Sequence, residues 1–262
     1  MDIAFGVVVH GGAGTPETLS DGCTEACRVA FDILGAGGQA LEAVVEACRI
    51  MEDDGRFNAG SGSVLRLDGK TVEMDAGVMD SAGKLGMVMN MRGFRNPVKA
   101  ARAAAVERHE KICALLKEGR LGELNPLWGD IGSSFFEGLS CDTVGAVAVD
   151  QRGVFAAAAS TGGATPMLVG RVGDTPMIGC GFYAGPAGAF AATGIGEEII
   201  RRMLAKEVYD RLARGDDLLS ACRGGTGLFP ENIPVGLIGI SPEGYAASAN
   251  RPMAHHAMVR EH

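Results

Sequence analysis

The chain has 262 residues, 47% hydrophobic and 21% charged, with a net charge of −8. That balance supports one large domain or two small ones around a real core and excludes disorder and fibres. The acidic excess excludes the basic face that nucleic acid or an anionic membrane requires. Glycine is the outlier at 40 residues, about twice the usual share, which calls for many tight turns and close backbone approaches. Ile3 to Val9 is a continuous apolar run that predicts a buried strand, leading into a glycine loop, His10-Gly11-Gly12-Ala13-Gly14. Two helices follow, the second marked by Leu41, Val44, Val45, Cys48 and Met51 at helical spacing and stopped by Glu52-Asp53-Asp54-Gly55. The period then changes to two. Ser63 to Leu67, an Asp68-Gly69 turn and Thr71 to Met79 predict a hairpin, and Gly86 to Met91 a third strand. Asn96-Pro97 starts a helix that runs to about Lys117, and residues 119–142 carry no period and read as a linker. Beyond it come strands over Val144 to Asp150 and Val154 to Ser160, a helix from Glu197 to about Ala213, and a hairpin of Val235 to Ile240 with Tyr245 to Ala249. Hairpins and helices in both halves predict an α+β fold.

Seven cysteines without a C-x-x-C pair predict reduced thiols and a cytoplasmic protein. Cys23 and Cys27 lie one helical turn apart without partner histidines, so packing is expected there rather than a metal. Asp2 stands where a signal peptide needs basic residues, and no apolar run approaches the ~18 residues of a membrane span, so neither is expected. No H-E-x-x-H, Walker loop or G-x-S-x-G setting is present. His255 and His256 read as a solvated tail, and the dinucleotide fingerprint begun by Gly12 and Gly14 fails at Glu17.

What remains is threonine among small residues: Cys141-Asp142-Thr143-Val144-Gly145, Ser160-Thr161-Gly162-Gly163, and Ala192-Thr193-Gly194-Ile195-Gly196-Glu197. Between the last two lies Gly170-Arg171-Val172-Gly173-Asp174-Thr175-Pro176. On local sequence alone Thr143 reads equally well as the opening of a strand, Thr193 as a helix N-cap, and Arg171 with Asp174 as a surface ion pair. In this order and spacing the segments resemble the threonine N-terminal-nucleophile hydrolases, the family of plant-type asparaginase, isoaspartyl peptidase and glycosylasparaginase. His10 to Gly14, Phe57-Asn58-Ala59-Gly60-Ser61-Gly62-Ser63-Val64-Leu65 and Met74-Asp75-Ala76-Gly77-Val78-Met79-Asp80 resemble further motifs of that family.

The resemblance implies a four-layer αββα sandwich, one domain made of a 1–142 half and a 143–262 half, and self-cleavage between Asp142 and Thr143. A threonine hydroxyl needs a base. A new α-amino group on Thr143 supplies one, with an unperturbed pKa of ~7.7–8.0. By carry-over Thr161 orients Thr143, Asn58 supports its amine, and the Thr193 hydroxyl and Gly194 N–H form an oxyanion hole. Arg171 takes a substrate α-carboxylate, and Asp174 with the Gly196 backbone takes its ammonium. No cofactor is required. A structural sodium is implied on the carbonyls of Met51, Glu52, Asp54, Phe57, Ala59 and Ser61. The expected substrates are L-asparagine and β-aspartyl peptides, and the expected assembly is a homodimer. Asp142 also matches glycosylasparaginase, which keeps glycoasparagine open as a substrate. A non-catalytic small-molecule or nucleotide binder using the Gly11–Gly14 loop is the alternative from another class.

Overall fold

The first strand, β1 (Ile3–Ala13), outruns the apolar stretch that predicts it and carries the glycines Gly11 and Gly12 inside it. Its length comes from its partner. The C-terminal segment Met253–Glu261 is a strand, β10 below, that pairs antiparallel with β1 from Ile3↔Glu261 to Ala13↔Met253. The expected glycine loop is therefore strand as far as Ala13, with Gly14 in a turn, and the expected solvated tail at His255 and His256 is strand, with His10 opposite His255 and Val9 opposite His256. The computed structural model describes residues 2–106, 143–164 and 167–262.

α1 (Ser20–Gly35) buries Cys23, Ala26, Cys27, Ala30 and Leu34, and α2 (Ala40–Asp54) buries Leu41, Val44, Val45, Cys48 and Met51. Both stripes follow the three-and-four spacing of an amphipathic helix. Gly55, left-handed at φ 77°, ends α2. β2 (Met74–Asp80) and β3 (Leu85–Met91) form a hairpin. The expected strand over Ser63 to Leu67 does not form. Asp68 folds the turn by accepting the Lys70 and Thr71 amides at 3.1 and 2.9 Å, and Arg66 N donates to Thr71 O, but the arm then turns toward Met167, whose carbonyl takes Leu67 N. α3 (Pro97–Val106) opens with the proline suited to a first turn. The continuation to Lys117, the linker at 119–142 and Asp142 lie outside the described residues.

β4 (Val144–Val149) and β5 (Phe155–Thr161) pair as expected. The hairpin of β6 (Phe182–Gly185) and β7 (Gly188–Gly194) was not expected: β6 is only four residues long and β7 is buried on both faces, which leaves no polar alternation to read. The expected helix from Glu197 to Ala213 is two, α4 (Gly196–Arg202) and α5 (Leu204–Ala213), broken where Met203 sits left-handed at φ 46°. α6 (Leu218–Thr226), with the Asp217 carboxylate on Ser220 N, precedes β8 (Val235–Ser241) and β9 (Gly244–Ala249).

Among the described residues the strands form two antiparallel sheets, β10-β1-β4-β5-β2-β3 and β6-β7-β8-β9. Three apolar clusters follow from the alternation of each strand. Val7, Val9, Val144 and Ala146 join residues of α1 and α2. Val8, Val147, Ala157 and Ala159 meet Phe182, Ala191 and Ile238 of the smaller sheet. Phe190, Ala192 and Leu237 meet residues of α4, α5 and α6. The α+β class holds. Among the described residues five cysteines are buried and free, Cys23, Cys27, Cys48, Cys180 and Cys222, and no helix is long and apolar enough to cross a membrane.

Candidate active site

Thr143 stands directly before β4, 4% exposed. Val144 pairs with Ser160, so Thr161 of β5 lies level with Thr143, and Thr161 in turn pairs with Asp75 of β2. Antiparallel register alone thus brings three polar residues to one end of the larger sheet. The Thr143 hydroxyl is 3.3 Å from that of Thr175, and the Thr161 hydroxyl accepts the Gly163 amide at 3.0 Å. The sequence motif gives Thr175 no role by itself; its place beside the Arg171–Asp174 turn is the available signal.

Thr143, Thr161 and Thr175 line a cleft of about 350 Å³, open mouth included, together with Arg171, Asp174, Gly194, Gly196 and Glu197. Arg171 does not pair with Asp174 on the surface. Its Nε and Nη2 donate to the two Glu197 carboxylate oxygens at 2.8 and 2.7 Å, and its Nη1 meets Met167 Sδ at 3.3 Å. Glu197 therefore grips one edge of the guanidinium and leaves the Nη1–Nη2 edge without a carboxylate. Sequence reasoning gave Glu197 no role. Asp174 is buried, and its Oδ2 has no hydrogen-bond partner. Burial pushes its carboxyl up to about 7, Arg171 pulling the other way and Glu197 and Asp75 adding to the rise. A buried acid with an unpartnered oxygen at a cleft wall is ready for a cation. Gly196 leaves the room: a Cβ there would lie 2.9 Å from both Arg171 Nη2 and Asp174 Oδ1.

Thr193 does not cap α4. The residue before that helix is Ile195, without a side-chain cap. Thr193 is fully buried in β7, and its hydroxyl accepts Ala13 N from the end of β1 at 3.2 Å. Its neighbour Gly194, not Thr193, lines the cleft. Asn58 does not line the cleft: its Nδ2 donates to Gly163 O at 2.6 Å, its Oδ1 accepts Val64 N, and its carbonyl takes Gly162 N. Those bonds hold the Gly162–Gly163 turn, which bears Thr161.

Met51, Glu52 and Asp54 end α2, and Phe57, Ala59 and Ser61 follow in the loop. A Cβ on Gly62 would sit 2.1 Å from the Phe57 carbonyl, and one on Gly60 2.5 Å from that of Glu52. Gly60 and Gly62 thus let the 51–61 backbone fold closely on itself, with Phe57 O accepting Ala59 N and Ala59 O accepting Gly62 N, while carbonyl oxygens are the ligand type a hard cation takes. The acidic side chains turn elsewhere. Glu52, pushed up to about 8 by burial, accepts Ser160 Oγ at 2.6 Å and Val98 N at 3.0 Å, and Asp54 pairs with Arg56. Among the described residues no group of three or more His, Cys, Asp or Glu side chains is placed to hold a metal ion.

The Gly11–Gly14 segment makes no phosphate cradle. The Ala13 amide goes to Thr193 and the Gly14 amide to Pro252 O, and α1 begins only at Ser20. The family described as Asparaginase matches residues 3–119 and 131–262. The chain belongs to the asparaginase family. It is 40% identical to the isoaspartyl peptidase/L-asparaginase of Danio rerio over 80% of this chain and 76% of that one. It is 37% identical to the plant-type L-asparaginase of Pyrobaculum calidifontis over 95% of each, and 38% identical to the isoaspartyl peptidase/L-asparaginase of Rattus norvegicus over 82% and 73%. The asparaginase family match takes in every motif that lines the cleft.

Proposed function

We propose that this chain hydrolyses the side-chain amide of L-asparagine and the β-aspartyl bond of isoaspartyl dipeptides, with Thr143 as nucleophile after self-cleavage. The observation that carries the reading is one cleft lined together by Thr143, Arg171 and Asp174. In self-cleavage Thr143 Oγ attacks the Asp142 carbonyl carbon, the peptide C–N bond breaks, and an ester forms with a free Thr143 amine. Water then hydrolyses the ester. In turnover that amine takes the hydroxyl proton as Oγ attacks the substrate amide carbon. Thr161, level with Thr143 in the next strand, orients it, and Asn58 acts by holding the turn behind Thr161. The Gly194 N–H, at the cleft, stabilises the oxyanion, and Thr193, whose hydroxyl accepts Ala13 N, fixes Gly194 in place from within the sheet. Ammonia, or the amino component of a dipeptide, leaves with the amine's proton, and water releases aspartate from the acyl ester.

The Arg171 Nη1–Nη2 edge takes the α-carboxylate, displacing only the weak Met167 sulfur contact, while Glu197 steadies the other edge. Asp174 and the Gly196 backbone take the ammonium. A sodium ion on the carbonyls of the 51–61 loop would stiffen the link from α2 to Asn58. The three apolar clusters support a four-layer αββα sandwich of the N-terminal-nucleophile type. Exposed Met87 and Met89 on the edge strand β3 support a homodimer, which light scattering would test. Free buried cysteines favour a cytoplasmic location.

The reading is tested by ammonia release from L-asparagine and amino-acid release from a β-aspartyl dipeptide. Purified protein releases both, and Thr143→Ala loses about a thousandfold or more of each rate. Equal rates in the two proteins would refute the nucleophile.

A further inference from the structure

Arg66 is an arginine with its side chain wholly buried, and nothing in the reaction above uses it. Its three nitrogens are all committed. Nη1 donates to Gly162 O and Nη2 to Glu73 O, each at 2.7 Å, and Nε pairs with Glu73 Oε2 at 3.2 Å. The Glu73 carboxylate, also buried, accepts Gly170 N at 2.7 Å and is held from outside by Arg92. Gly162 directly follows Thr161, and Gly170 directly precedes Arg171. Met167 lies between them, its sulfur 3.7 Å from Arg66 Nη1 and 3.3 Å from Arg171 Nη1. The Arg66–Glu73 pair therefore fastens both the backbone that carries Thr161 and the backbone that carries Arg171.

We propose that Arg66 is a positioning residue that, with Glu73, sets the placement of the Thr161–Gly163 turn relative to Arg171, and so of the threonine pair relative to the substrate head group. A buried ion pair adds little stability over apolar packing, so fold stability alone does not account for it. Only a planar fork reaches two carbonyls and a carboxylate at once, which a lysine cannot do. Gly163 fits the same purpose: it sits left-handed at φ 88°, and a Cβ there would lie 2.4 Å from Arg66 Nη1. What the clamp positions for rests on the amidohydrolase reading above; that it fixes the turn does not.

The test compares wild type, Arg66→Met and Arg66→Lys by two readouts: hydrogen exchange of the Gly163 amide, which donates to Thr161 Oγ1, and kcat and KM for L-asparagine per folded molecule. In Arg66→Met, Gly163 exchanges about tenfold faster or more while β4 amides are unchanged. Its kcat falls about tenfold or more with KM within about threefold, since Glu197 still holds Arg171. Arg66→Lys, which keeps the buried charge and the fold, lies between. An unchanged Gly163 exchange, or faster exchange with unchanged kcat, would overturn the proposal; a purely structural role lowers Tm without moving kcat. Wild type that releases no ammonia counts against the proposed function, and Gly163 exchange then decides the clamp by itself.

Discussion

A guanidinium has two edges that can grip a carboxylate, and in this cleft Glu197 holds only one of them. Arg171→Lys removes both edges while keeping the charge. It is expected to lower kcat/KM for L-asparagine by tenfold to a hundredfold, on the order of 1.5–3 kcal/mol. Self-cleavage should survive, because the Asp142–Thr143 bond presents no free α-carboxylate. A gel for the cut and steady-state kinetics read the two effects separately; unchanged kcat/KM would place the amino-acid head elsewhere. Asp174 gives a pH signature. Its carboxyl moves from 3.8 to about 7 on folding, so between those values the folded chain keeps a proton that the unfolded chain has lost. Stability therefore falls as pH rises through that window, by on the order of 4 kcal/mol at most. Asp174→Asn carries no such proton, and its Tm should climb relative to wild type from about pH 4 to about pH 7 and then level off. The shifts of Glu52 and His10 are common to both proteins and cancel. A Tm difference that is flat with pH would show Asp174 already ionised or paired.

α2 was legible because one face of a long helix must repeat every three or four residues, and Leu41, Val44, Val45, Cys48 and Met51 do. β6 and β7 were not, because β6 is four residues long and β7 is buried on both faces, which erases a period. β1 and β10 were misread for a related reason: pairing between residues about 250 apart extends each strand past its own apolar run. Of the site, Thr143, Thr161, Arg171, Asp174, Gly194 and Gly196 were each named in advance, and they line one cleft. Thr175, Glu197 and Arg66 were passed over, since an ordinary threonine, glutamate or arginine gains its meaning only from what the fold sets beside it. Met203 marks the other failure of local reading. The helical pattern runs through it, yet it sits left-handed at φ 46° and 53% exposed between α4 and α5. Left-handed backbone costs a non-glycine residue ~1–2 kcal/mol. Met203→Gly should thus gain about 0.5–1 kcal/mol, or ~2 °C in Tm by calorimetry. A lower Tm would show that the Met203 side chain holds the junction together.

Across the whole molecule, strands from either side of residue 142 interleave in the larger sheet: β1 lies between β10 and β4, and β2 beside β5. A chain cut before Thr143 would stay one body, held by the β1–β4 and β2–β5 ladders and the apolar cluster beneath them. Cutting can therefore create a catalytic amine without dismantling the cleft. That couples maturation to activity, and a single time course tests it: intact mass of the purified chain, sampled together with its rate of ammonia release from L-asparagine. The account predicts that fragments 1–142 and 143–262 appear, the second beginning at Thr143, and that the rate rises in proportion to the fraction cut, while Thr143→Ala stays whole and inactive. A wild-type chain that remains uncut and hydrolyses asparagine at full rate would contradict it.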